Sequence, residues 1–178
     1  VIDKNLSISI IYLLDAEEDG LDFRLNAIAR EISESMGEEV IGSSLKNSEF
    51  IKIDDIKFGA FVFTEPGKEV GKLENILLPL MKLNNDDIFD DANMFLEKIN
   101  DYCLFKGKTD NTELKAITRV DSQKFNYEKS LIGTVGQLQI SGKSNIPVIR
   151  DSSYLTKDKI LDNASCKDII SFFEKSFL

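Results

Sequence analysis

The chain has 178 residues, 42% hydrophobic and 30% charged, enough apolar material for the core of one ordinary domain. Its formal net charge of -9, from 31 acids against 22 bases, argues against a surface that coats DNA, because such affinity depends on neutralising phosphates. The sequence has 0 histidines, which excludes His triads, His zinc sites and imidazole proton shuttles and leaves carboxylates, lysines, hydroxyls or a bound metal for any chemistry.

Leu6 to Leu14 reads as a buried strand that ends at Asp15. Leu21, Leu25, Ile28, Ala29, Ile32 and Met36 then recur at helical spacing, and Gly37 supplies a stop. The stretch from Gly37 to Asp55 is polar with short β-like pieces, a strand plus a loop. Lys57 to Phe63 is a continuous apolar run of strand length, and "TEPGKEVGK" after it is a loop by its Pro and Gly content. Leu73, Ile76, Leu77, Leu80 and Met81 describe one helix face, and Ile88 to Cys103 a third helix. Past Lys106 the pattern weakens until Lys129 to Ile140, which reads as helical despite Gly133 and Gly136; Cys166 to Phe177 closes the chain as an amphipathic helix. The early strand–helix–strand order implies a right-handed βαβ unit. The expected class is α/β, with a parallel sheet and extra helices.

No apolar run approaches the roughly 18 residues of a membrane span. The start lacks a signal-peptide pattern, and Cys103 and Cys166 lie inside apolar patterns as small buried hydrophobes. A cytoplasmic protein without membrane contact is therefore expected.

The chemistry-bearing stretch is "SIIYLLDAEEDG", where an apolar run ends in Asp15, Glu17, Glu18 and Asp19. Residues two apart in a strand point the same way. If the extended conformation persists through Ala16, Asp15 and Glu17 present their carboxylates on one side. Open α/β sheets place ligand sites beyond the carboxyl ends of parallel strands, and paired carboxylates there suit Mg²⁺. The bland alternative is that strands leaving a core end in polar residues anyway. A haloacid-dehalogenase reading lacks that motif's continuation, and a two-component receiver would need five strand–helix alternations.

Three segments together resemble a Toprim-like family, the one catalogued as domain of unknown function 3226. "LLDAEEDGLDFRLNAI" is similar to its strand, acidic turn and Arg-bearing helix start through Asp15, Glu17, Asp19 and Arg24. "FGAFVFTEPGKEVGKLENILLPLM" matches its second signature through Gly71, Leu73 and Glu74, and "YEKSLIGTVGQL" its late helix through Lys129. The resemblance spans the whole chain in order. It implies a single Toprim-like Rossmannoid domain over residues 1–178, with a mainly parallel central sheet flanked by helices and a helical C-terminal part, 107–178, packed on the same core. It also implies Mg²⁺ or Mn²⁺ held by Asp15, Glu17 and Asp19, catalysis through Asp15, Glu17 and Lys129, and a nucleic acid or other phosphate-containing substrate. Arg24 and Glu74 are further site candidates. Two departures stand: the family's second Asp is Glu17 here, and nothing before Leu6 matches its opening strand with Glu-Gly. The expectation is a chain lacking that first strand, or one that has lost a ligand.

Each candidate also has a plain structural reading. Glu74 suits a helix N-terminus electrostatically, and Lys129 suits an exposed helix face. Asp86, Asp87, Asp90 and Asp91 lack the alternating ligands and Gly of an EF-hand and read as helix capping. Two functions stay open: Mg²⁺-dependent phosphodiester or phosphoryl-transfer chemistry of a nuclease-like kind, or a non-catalytic binding or assembly module that keeps a degenerate acidic pocket.

Overall fold

A computed structural model describes residues 8–37, 39–40, 42–99, 126–139 and 141–177. The chain forms an α/β protein whose residues divide into two compact units, one made of 1–77 and 157–178 and the other of 78–156. Neither boundary falls near residue 107.

The first unit holds the sheet. Its strands are β1 (Ile8–Asp15), β2 (Glu49–Ile53) and β3 (Ile56–Phe63), in the order β1-β3-β2. β1 runs parallel to β3 from Ile8↔Ile56 to Asp15↔Phe63, whereas β2 is antiparallel to β3. The sheet is therefore mixed. The parallel expectation missed a hairpin turned by Asp54 and Asp55, in which Asp54 takes a left-handed φ of 51°, a conformation that Asp tolerates better than most residues. Asn47 extends the ladder beyond β2: its amide accepts from the Val62 N–H at 2.7 Å and donates to the Val62 carbonyl at 3.1 Å.

Two helical layers follow from the alternation of side chains. Helix α1 (Leu21–Met36) ends where Gly37 adopts a left-handed φ of 71° and bonds back to the Ser33 carbonyl, a common helix stop. Its stripe of Leu25, Ile28 and Ile32 meets Phe58, Ala60 and Val62 of β3 and Ile53 of β2 in one buried cluster, joined by Tyr12 and Ile51. Each Leu, Ile, Val or Phe among them taken fully from water contributes roughly 1.5–3 kcal/mol. The opposite face takes α7 (Ala164–Ser176), capped by the Asn163 side chain. There Phe172, wholly buried, stacks on Phe50 at 4.8 Å and tilts against Phe61 at 5.6 Å. Cys166 is buried on the same helix, and burial pushes its thiol pKa up. A 3-10 turn (Gly42–Ser44) and α6 (Lys157–Asp162) complete this unit.

The second unit is helical. It takes the later part of α2 (Glu74–Lys82), then α3 (Asp86–Ile99), α4 (Tyr127–Gln139) and α5 (Asn145–Asp151). Leu80, Phe89, Leu96, Leu131, Val135 and Val148 are its interior, with Phe89 edge-on to Tyr154 at 5.5 Å. Gly136, which weakened the helical reading of α4, is explained by packing: a Cβ there would lie 2.2 Å from Val148 Cγ1. Asp86 and Asp87 occupy the first turn of α3, where acids suit the helix dipole, and Asp90 accepts from Lys82 Nζ at 2.7 Å on the surface. Cys103 and the weakly patterned stretch after Lys106 lie outside the described residues up to 125.

Candidate functional site, the acidic turn after the first strand

Asp15 is the last residue of β1 and is half-buried. Ala16 follows in full burial, its N–H bonded to the Phe63 carbonyl at 3.0 Å. At Glu17 the extended course stops. This residue has a left-handed φ of 55° and forms an isolated antiparallel bridge with Gly71, its N–H donating to the Gly71 carbonyl at 2.7 Å and its carbonyl accepting from the Gly71 N–H at 3.1 Å. The premise that Asp15 and Glu17 share one side of a continuing strand therefore fails at the second of them. A tight turn then closes, Gly20 N–H to Ala16 carbonyl at 3.1 Å, and α1 begins.

The loop after β3 is stitched onto this turn. Leu21 donates to the Glu69 carbonyl at 2.7 Å, and the Leu73 N–H donates to Asp15 Oδ1 at 2.8 Å. Asp15 thus serves residues that enter α2, an N-terminal position where a negative charge also meets the positive end of the helix dipole. The Asn75 side chain holds the neighbouring Lys72 N–H at 2.9 Å. Gly71 is obligatory at the bridge: its φ is 132°, and a Cβ there would sit 2.3 Å from the Glu65 nitrogen. The acidic turn, read from its bonds, is a clasp between two loops at one end of the parallel strand pair.

The remaining candidates divide between the two units. Asp19 pairs with Arg24 at 3.2 Å, and the Arg24 guanidinium lies 5.8 Å above the Phe23 ring. Glu74, half-buried, opens α2 directly after Leu73, so the Asp15–Leu73 bond draws the start of that helix to the end of β1. Lys129 belongs to the second unit, exposed on α4. Its N–H is capped by Asn126 Oδ1 at 2.9 Å and its carbonyl accepts from Asn145 Nδ2 at 2.9 Å. Among the described residues no three acidic or cysteine side chains are gathered as a metal-binding group, and no described helix is long and apolar enough to cross a membrane. Among the described residues β1 pairs with β3 alone, so Asp15 lies at one edge of the sheet that they form.

The backbone acceptors at Glu69 and Gly71 escaped sequence reading. The only local signal for them was the Gly of "EVGKLE", since the bonds join positions far apart in the chain. Compared with protein-family models, curated proteins and solved structures, the chain matches none.

Proposed function

We propose that this chain is a non-catalytic binding or assembly module of Toprim-like type, in which the acidic turn braces the fold. The observation that carries this reading is the Asp15–Leu73 bond together with the Glu17–Gly71 bridge. One oxygen of Asp15 is engaged by the backbone, Asp19 by Arg24, and Glu17 leaves the strand by a left-handed turn. A Mg²⁺ ion asks for oxygens in near-ideal octahedral directions. With Asp15 and Asp19 so engaged, a bracing role is favoured over a metal cage. The Toprim-like resemblance and the parallel β1–β3 pair support a Rossmannoid reading of the core.

The enzymatic reading has one observation in its favour. The Asp15–Leu73 bond brings the beginning of α2, and Glu74 with it, to the acidic turn. The two readings separate in one experiment on the full chain, a titration with Mg²⁺ or Mn²⁺ followed by thermal melting and by incubation with single- and double-stranded nucleic acids. The module reading expects unchanged melts and intact nucleic acid. A metal-dependent rise in melting temperature that disappears in Asp15→Asn, or metal-dependent cleavage, overturns it in favour of phosphodiester chemistry.

A further inference from the structure

Among the described residues β1 is paired along one backbone edge only. Backbone direction along it follows from the Ala16 N–H, which points to β3. Bonding direction alternates along a strand, so the N–H and C=O groups of Ser9, Ile11, Leu13 and Asp15 face the other way. Among the described residues nothing pairs with them. The strand also carries none of the usual protections of an open edge, neither Pro nor Lys nor an inward charge, over "ISIIYLL". Ile8, Ile10, Leu13 and Leu14 are 39–45% exposed, on both faces of the strand.

Further apolar side chains are exposed at the end of α7, which lies near the start of the strand. Ser9 Oγ donates to the Ser176 carbonyl at 3.0 Å, which fixes the end of α7 beside β1. Phe173 and Phe177 there are 37% and 88% exposed. At roughly 200 Å² for a fully exposed large side chain, these six residues offer on the order of 600 Å². A standard interface buries about 800 Å² per partner, so strand edge plus helix end is close to what a dimer needs.

We propose that the occupant of this edge is β1 of a second copy, paired antiparallel across a twofold axis perpendicular to the sheet. The axis passes beside Tyr12. That symmetry lays each α1 face in line with its twin, so even-numbered residues must oppose even-numbered ones. Centring on Tyr12 then opposes Ser9 to Asp15 and Ile11 to Leu13 as hydrogen-bonded pairs, and Ile10 to Leu14 as a non-bonded pair. Every outward-facing group between Ser9 and Asp15 finds a partner, about eight hydrogen bonds in all. Apolar residues meet apolar residues on both faces. The strand's one charge, Asp15, falls opposite Ser9 of the other copy and not opposite its own counterpart. The net charge of -9 opposes association at long range, but the strand contributes to it only at that end. None of this depends on what the acidic turn does.

Sedimentation equilibrium of the full chain across micromolar concentrations is the first test. The expected result is reversible association to twice the 20.1 kDa chain mass, abolished in Leu13→Lys with an unchanged circular dichroism spectrum. The register is tested by the pair Ile10→Cys with Leu14→Cys. Non-bonded antiparallel partners lie about 4.5 Å apart at Cα, within disulfide reach, so the double variant crosslinks into a dimer on oxidation and Ile10→Cys alone does not. A parent that remains monomeric, a Leu13→Lys variant that still dimerises, or a double variant that does not crosslink overturns the proposal. So does a monomer that instead binds an added extended apolar peptide, which would give the edge to a foreign strand.

Discussion

Removing the Asp15 carboxylate distinguishes a brace from a ligand, because the two roles depend on different properties of the group. In Asp15→Ala the Leu73 N–H loses its acceptor at 2.8 Å in a half-buried position. Loss of a capping acceptor costs about 0.5–2 kcal/mol, and a charged acceptor stands toward the upper part of that range. We expect about 1–2 kcal/mol, which for a chain of this size lowers the melting temperature by roughly 2–8 °C. Asp15→Asn keeps a carbonyl oxygen in the same place and forfeits only the charge, so its loss should be less than about half as large. Urea unfolding of parent, Ala and Asn chains in metal-free buffer measures both. Equal losses in the two variants would refute the reasoning, since the acceptor would then contribute nothing beyond the charge.

The bridge glycine gives a second prediction. Gly71→Ala meets the Glu65 backbone as well as an unfavourable φ, whereas Gly67→Ala, at φ 79° with nothing within 4 Å, meets strain alone. Strain by itself costs on the order of 1–3 kcal/mol, so Gly71→Ala should unfold at distinctly lower urea than Gly67→Ala and should lose hydrogen-exchange protection at the Glu17 and Leu73 amides. Alkaline pH gives a third. Burial, and after it the Glu31 carboxylate, holds the Tyr12 phenol above its ordinary 10.0, and burial does the same for Tyr127 and Tyr154. The folded chain keeps protons that the unfolded chain releases, so this contribution is full below the ordinary tyrosine pKa and is lost as pH rises through the raised values. Urea midpoints should fall above about pH 10; midpoints that stay level there, with ordinary phenol titration at 295 nm, would count against it.

The parts of this molecule legible in its sequence are those governed by near neighbours. α1 announces itself through a periodic stripe and Gly37, and β3 through an unbroken apolar run. α5 and α6, with 7 and 6 residues, are too short for periodicity to register. The candidate site was legible as a place and not as a geometry. Asp15 stands at a strand end as its position suggests, but its partner is 58 residues away. The left-handed turn at Glu17 goes against local preference for a non-glycine residue and is held by the distant Gly71 bridge. Lys129, joined to the site by resemblance alone, falls in the other unit.

The contact of Phe172 with Phe50 and Phe61 has a further consequence, for the time order of synthesis. The three strands leave the ribosome early, yet the aromatic side chain that covers one face of their sheet is made about a hundred residues later. At roughly 5–20 residues per second, that face waits at least several seconds with Phe50 and Phe61 uncovered. The first unit cannot close by local contacts alone, and a chain released before α7 is complete would keep both aromatic rings open to other nascent chains. Folding yield, more than final stability, should therefore respond to how fast the segment between β3 and α7 is translated.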